Sequence, residues 1–173
     1  VSKYFGQIFG VSRSTDTRDL MKAEEWLSGF NLHLDTRQNY GSLVIGDEVD
    51  RRNAFSTAVL EGVGEVQALT LFEEIENSPV TVNLASSHRS WIVRNMLGRL
   101  ALKSFIRLAN QLTCIKDLRF ADKTFVLFVI KLAVMLRRVQ RGNVLSESQI
   151  DRNALIGKEE IKIAKIIRDD IKK

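Results

Sequence analysis

Polar and apolar residues alternate in two short stretches of the N-terminal half of the chain. The first stretch is Asn31–Asp35, and the second is Ser42–Ile45, which lies between two glycines. Alternation with a period of two predicts β-strands, and Asn39–Gly41 between them has the composition of a turn. The two stretches therefore predict an antiparallel hairpin, on which His33 faces solvent.

A helical period of three to four residues governs most of the remaining chain. In Glu65–Glu76, for example, apolar residues recur at every third position and glutamates fill the opposite side. Asn53–Gly64 is ambiguous, because its apolar residues fit both a strand and a helix. One further strand is predicted at Val80–Leu84. The predicted helices are Thr17–Ser28, Glu65–Glu76, Trp91–Leu112, Asp122–Arg141 and Ser146–Lys172.

This arrangement of elements predicts an α+β fold: a small, mostly antiparallel sheet with helices in the N-terminal half, followed by a helical C-terminal half. A chain of 173 residues has the length of one domain. We expect residues 1–142 to form this single α+β domain. Residues 143–173 are expected to add a C-terminal helix, which docks on its own domain or on a neighbouring subunit.

Charge is distributed unevenly along the chain. Residues 1–86 carry 7 Lys/Arg and 13 Asp/Glu, whereas residues 87–173 carry 19 Lys/Arg and 8 Asp/Glu. Within residues 87–141, only Asp117 and Asp122 oppose twelve basic residues. Because an inert surface normally mixes both signs, this excess predicts a positive field that attracts phosphate groups or anionic lipid headgroups.

The candidate anion-binding residues lie in this basic stretch. Arg99, Lys103 and Arg107 are four residues apart, which places them on one face of a helix. A second basic group lies at the end of the next predicted helix, where cations also complement the helix dipole. The predicted nucleic-acid-binding residues are Arg89, Arg94, Arg99, Lys103, Arg107, Arg137, Arg138 and Arg141.

No combination of residues in the sequence specifies a reaction. Asp47, Glu48 and Asp50 form an acidic cluster, but Arg51 and Arg52 follow at once, which is typical of a charge-balanced turn. The chain has no phosphate-binding glycine loop of the usual spacing. We therefore expect no metal site, no cofactor and no enzymatic activity.

A single cysteine, Cys114, excludes an intramolecular disulfide. This is typical of proteins of the cytoplasm or another reducing compartment. The longest apolar run, Phe125–Leu136, is interrupted by Lys131 and is shorter than a membrane span requires. For this run we favour a buried core helix over a helix that lies on an anionic bilayer.

These features favour a non-catalytic, self-associating protein that binds RNA or single-stranded DNA through a basic helical face, as viral nucleocapsid and matrix proteins do. Two alternatives stay open. One is a peripheral or scaffold protein that uses the same face on an anionic membrane, and the other is an enzyme whose site the sequence does not reveal. A homo-oligomer is expected because the acidic half of one subunit can meet the basic half of the next.

Overall fold

The computed structural model describes residues 13–37, 41–77, 99–116, 120–149 and 159–171. These residues form helices and a two-stranded antiparallel sheet, which confirms the α+β fold with strands in the N-terminal half and a helical C-terminal half. A 3₁₀ turn spans Glu147–Gln149. The helices are α1 (Arg13–Ser28), α2 (Glu48–Val63), α3 (Glu65–Asn77), α4 (Arg99–Lys116), α5 (Asp122–Gln140) and α6 (Glu159–Ile171), and the strands are β1 (His33–Arg37) and β2 (Gly41–Ile45).

The chain divides into two compact units, which we call the first unit (residues 1–54) and the second unit (residues 55–173). The boundary falls within α2. The expected domain of residues 1–142 with an appended helix stays a prediction. The strand predicted at Val80–Leu84 lies outside the described residues, as does the beginning of the helix predicted at Trp91–Leu112.

A capped turn ends α1 and leads into the hairpin. The amides of Asn31 and Leu32 donate to the carbonyl oxygens of Ser28 and Leu27, both at 3.1 Å. Asn31 has a φ of 55°, a left-handed conformation that asparagine tolerates better than most residues. This Schellman-type turn brings Leu32 into one small core with Leu27 and Ala54. The predicted helix end at Ser28 is confirmed.

Strands β1 and β2 form the predicted antiparallel hairpin, with His33 opposite Ile45 and Leu34 opposite Val44. Leu34 and Val44 point to the same side of the hairpin, where they pack on the small core of the first unit. His33 lies on the other side, and its side chain is 73% exposed, as predicted. One face of the hairpin is therefore core and the other is surface.

A larger apolar core holds the second unit together. The ambiguous stretch Asn53–Gly64 is helical as far as Val63, the last residue of α2, and its buried Val59 and Val63 join this core. Ile163 and Ile167 of α6 also pack on it. The fully buried members contributed by α3, α4 and α5 include Ala68, Ile75, Leu102, Ile106, Ala109, Leu112, Val126, Val129, Ile130 and Val134.

Helix α5 contains the long apolar run Phe125–Leu136 and is a core helix, as favoured from the sequence. Its six buried residues all lie within this run. Of the helices in the described ranges, none combines the length and the apolar composition needed to cross a membrane.

The α-helix predicted to begin at Ser146 does not begin there, and Asp151, the alternative start in the sequence, lies outside the described residues. Residues 143–146 are not helical, and a 3₁₀ turn follows them. The Ser-x-x-Gln pattern does form a cap: the Ser146 amide and hydroxyl donate to Gln149 Oε1 at 2.9 and 3.1 Å. The pattern therefore identified the start of a helical turn, and that turn is the 3₁₀ turn Glu147–Gln149.

Candidate nucleic-acid interface

Helices α4 and α5 form the framework of the basic surface. They pack against each other, and only residues 117–121 join them. Packed helices with so short a connection run antiparallel. The end of α5 with Arg137 and Arg138 therefore lies beside the beginning of α4. Arg107 of α4 and Lys131 of α5 are each nine residues from the helix end next to the connection.

The apolar residues of α4 leave one polar stripe facing solvent. Leu102, Phe105 and Ile106 are buried, and so are Leu108, Ala109 and Leu112 on the same side of the helix. Arg107 is exposed, together with Ser104 and Gln111 one turn before and after it. Lys103, one turn before Arg107, is half-buried and has an interaction of its own. Of the two, Arg107 is the more open to a partner.

A glycine determines where α5 ends and hence where its last arginines lie. Gly142 has a φ of 80°, and its amide donates to the Val139 carbonyl at 2.9 Å. The Asn143 amide donates to the Arg138 carbonyl at 3.0 Å. This is a second Schellman-type turn, and it satisfies carbonyl groups that a helix end otherwise leaves open. The predicted break at Gly142 is confirmed.

Two of these arginines affect each other electrostatically. Partial burial of Arg137 and the positive charge of the neighbouring Arg141 both lower the pKa of Arg137. A lowered pKa of a basic group means that the fold disfavours its charged form. Because an arginine stays protonated at neutral pH, the protein holds two cations together against their repulsion. An anion bound beside Arg137 and Arg141 relieves that repulsion.

The acidic residues described in the second unit form no ion pair with four of the cations on this surface. Helix α3 contains glutamates and no basic residue, and it packs against both α4 and α5. Glu76 of α3 accepts two hydrogen bonds of 3.1 Å from the side-chain amide of Asn110 in α4. Within the described residues, no carboxylate forms an ion pair with Arg107, Lys131, Arg137 or Arg141.

The structure adds Lys131 to the residues chosen from the sequence. Lys131 is exposed on α5 between buried neighbours, and Arg138 lies on the same face two turns later. At 1.5 Å per residue, Lys131 and Arg141 are about 15 Å apart along the helix, the length of roughly four phosphates of a stacked strand. A lone lysine inside an apolar run was the available sequence signal, because it marks the solvent-facing line of a core helix.

The remaining predicted site residues have different positions. Arg89 and Arg94 lie outside the described residues, and Arg99 begins α4. Arg138 is half-buried and has an interaction of its own, as Lys103 has. Arg107, Lys131, Arg137 and Arg141 have no described ion pair, and among them Arg137 and Arg141 are electrostatic neighbours; we call these four the basic cluster.

The acidic stretch after β2 has a structural role. Arg52 Nε donates to Glu48 Oε1 at 2.9 Å, one turn away on α2. Both side chains are largely buried, at 16% and 11% exposure. Across the described ranges, no three His, Cys, Asp or Glu side chains come together as metal ligands.

Comparison with known proteins found no match to this chain among protein families, curated proteins or solved structures. The function of the chain therefore has to be argued from its own residues and their geometry.

Proposed function

We propose that this chain is a non-catalytic, self-associating protein that binds RNA or single-stranded DNA through the basic cluster on α4 and α5. The observation that carries the proposal is the pair Arg137 and Arg141 at the end of α5, where no described carboxylate pairs with either; burial, and to a smaller extent the charge of Arg141, lower the pKa of Arg137. Like charges that stay close without a described carboxylate are suited to a polyanion.

Contacts to phosphates rather than to bases are expected to dominate the binding. Phe105, an aromatic residue near the basic cluster in sequence, is only 3% exposed and belongs to the core. The Phe120 ring stacks on the Phe128 ring, with centroids 5.4 Å apart. Aromatic rings engaged in packing do not offer the free faces on which bases stack. Phosphate contacts carry no sequence information, so we expect little sequence preference.

A second candidate function is contact with an anionic membrane. Val139 and Val144 are 43% and 66% exposed, and they lie on either side of Arg141 in sequence. Basic and apolar side chains close together are typical of proteins that rest on a membrane surface. The apolar run of α5 does not contribute to this surface, because its buried residues belong to the core.

The proposal is tested by the salt dependence of binding to an RNA of about 20 nucleotides, the scale of a single-strand site. For a single strand, each phosphate contact contributes about 0.7 to the slope of log affinity against log salt. Arg137→Glu with Arg141→Glu is expected to flatten the slope by about 1.4, the loss of two contacts. Fluorescence anisotropy over a salt series measures both affinity and slope.

The control reverses two exposed cations of the first unit, Arg18→Glu with Lys22→Glu, and so changes the net charge by the same amount. Its slope is expected to match that of the wild-type protein. Equal losses in both double variants would show that only net charge matters and would reject the basic cluster as the site. If wild-type protein binds vesicles with anionic lipid but no RNA, the membrane function replaces the proposed one.

A further inference from the structure

The outer face of the hairpin is apolar on one strand and charged on the other. Leu43 and Ile45 of β2 are 64% and 41% exposed. On β1 the same face carries His33, Asp35 and Arg37, and the last two form an ion pair of 2.8 Å. Strand β2 contains no charged residue. Charged side chains protect an edge strand from pairing with another chain, so β1 has this protection and β2 lacks it.

One hydrogen bond shows which backbone groups point outward from the hairpin. The Leu34 amide donates to Glu24 Oε2 of α1 at 2.6 Å, so it points away from β2. In an antiparallel pair, the amide and carbonyl of one residue point to the same side, and opposite residues behave alike. Leu34 is opposite Val44. Thr36, two residues later on β1, is opposite Ser42 and has the same orientation as Leu34, because orientation alternates along a strand. Val44 and Ser42 therefore direct their amides and carbonyls to the edge of β2 that faces away from β1.

The two edges of the hairpin differ in access. Helix α1 packs beside β1, and the outward amide of Leu34 donates a hydrogen bond to the carboxylate of Glu24. In the described part of the chain, no strand pairs with the outer edge of β2. The backbone groups of Ser42 and Val44 on this edge are a template for one further strand.

We propose that β2 pairs antiparallel with β2 of a second copy of this chain, which forms a four-stranded sheet across a two-fold axis. The outward amide and carbonyl of Ser42 then form hydrogen bonds with those of Val44 in the other copy. The amide and carbonyl of Val44 do the same with Ser42 of the other copy. This register uses all five residues of β2 and places the two copies of Leu43 directly opposite each other. They form a non-hydrogen-bonded pair, the type with the closer Cα atoms.

Charge favours a second copy over a charged partner. The first unit has 7 Lys/Arg and 8 Asp/Glu, so two copies of it meet without a strong net repulsion. The pairing strand is itself uncharged and presents aliphatic side chains that match an identical strand. A two-fold contact also closes on itself, so it gives a dimer and not a filament. Because the contact is small, we expect a dimer that dissociates on dilution.

This inference rests on the self-association in the proposed function and names the surface responsible. It does not depend on nucleic-acid binding. Two-fold pairing brings two basic clusters into one particle, so a long RNA is expected to bind more tightly than a short one at protein concentrations where the dimer forms.

The first test measures mass by sedimentation equilibrium across protein concentration. Wild-type protein is expected to approach twice the chain mass at high micromolar concentration. Leu43→Lys with Ile45→Lys is expected to stay monomeric, since it places like charges opposite each other. The control, Met21→Lys with Val66→Lys, alters two residues that are 69% and 70% exposed and is expected to dimerise normally. A monomeric wild-type protein, or a dimer that persists in the Leu43 and Ile45 variant, overturns the proposal.

The second test examines the register by mild oxidation of cysteine variants. Leu43→Cys is expected to form an intermolecular disulfide, because opposite Cα atoms in such a pair lie within disulfide range. Ile45→Cys lies on the same face but four positions from its own copy in this register, so it is expected to remain uncrosslinked. Wild-type protein controls for Cys114. Equal crosslinking of the two variants overturns the two-fold register.

The same variants separate this inference from the proposed function. Both double-lysine proteins add two positive charges, so their RNA binding is compared directly. Dimerisation of a wild-type protein that binds no RNA supports the strand pairing and rejects the proposed nucleic-acid function. A wild-type protein that binds RNA but is monomeric at every concentration supports the nucleic-acid function and rejects the strand pairing.

Discussion

Among the described residues, charged side chains of the first unit form local ion pairs, whereas those of the basic cluster form none. Arg37 pairs with Asp35 two residues away, and Arg52 with Glu48 four residues away. In the second unit, the charge that acts on Arg137 is that of Arg141, which has the same sign. Such local ion pairs neutralise charges within the fold itself. Like charges without a described carboxylate beside them attract an anionic partner.

The comparison also changes the meaning of the uneven charge along the chain. The acidic and basic halves of the sequence meet at residue 86, but the structural units meet within α2. Helix α3, with its glutamates, packs in the same unit as α4 and α5. The contrast between acidic and basic segments therefore lies partly inside one unit. The two-fold contact proposed through β2 gives a route to self-association that does not need an acidic half to meet a basic half.

The largest expected effect is the loss of the Glu48–Arg52 pair. Glu48→Ala leaves a largely buried guanidinium without this carboxylate, and we expect it to lower the free energy of unfolding by about 3 kcal/mol. Solvent has little access to this helix start, because the Arg52 and Glu48 side chains are only 16% and 11% exposed. Urea unfolding followed by circular dichroism measures the change.

The double variant Glu48→Leu with Arg52→Met is the matched control. Replacing both members of a buried pair by apolar residues of similar size is often neutral, so the double variant is expected to be more stable than Glu48→Ala alone. A Glu48→Ala protein within about 0.5 kcal/mol of wild type, the range of ordinary surface substitutions, contradicts a structural role for this pair.

A smaller effect is expected at the turn that positions the last arginines of α5. Gly142 has a φ of 80°, and a Cβ built there meets nothing within 4 Å. The expected cost of Gly142→Ala is therefore purely conformational, about 1–2 kcal/mol. Gly142→Asn is the control, because asparagine tolerates the left-handed conformation and is expected to cost less. Thermal unfolding compares the two, and equal losses would contradict the conformational explanation.

Much of the fold was predictable, because local signals and burial agree in most elements. The hairpin, the end of α1 at Ser28 and the end of α5 before Gly142 follow from alternation and glycine placement. At α1 the residue in the left-handed conformation is Asn31 and not the glycine that precedes it. Asn53–Gly64 was undecidable from its pattern, since the burial that makes it a helix comes from distant elements. The α-helix start predicted at Ser146 was wrong, because the Ser146 cap begins a 3₁₀ turn.

The candidate site was less predictable than the fold. Spacing placed Lys103 and Arg107 on one helical face, but it does not distinguish a half-buried lysine with its own interaction from an exposed arginine. Lys131 was seen as an interruption of an apolar run, and its exposure follows only from the burial of its neighbours on α5. Membership of the site depends on exposure and on contacts between elements, which a linear pattern does not contain.

The smallest expected effect on stability belongs to Arg141, and it gives the sharpest form of the comparison. Arg141→Gln removes a favourable interaction with the end of α5 but also removes the repulsion of Arg137. The two changes oppose each other, so we expect unfolding free energy within about 0.5 kcal/mol of wild type. RNA binding, in contrast, is expected to lose about 0.7 in salt slope, one phosphate contact. A group that matters to binding and not to folding serves a partner. If Arg141→Gln instead destabilises the protein by as much as Glu48→Ala, both regions use their charges for structure, and the distinction between them disappears.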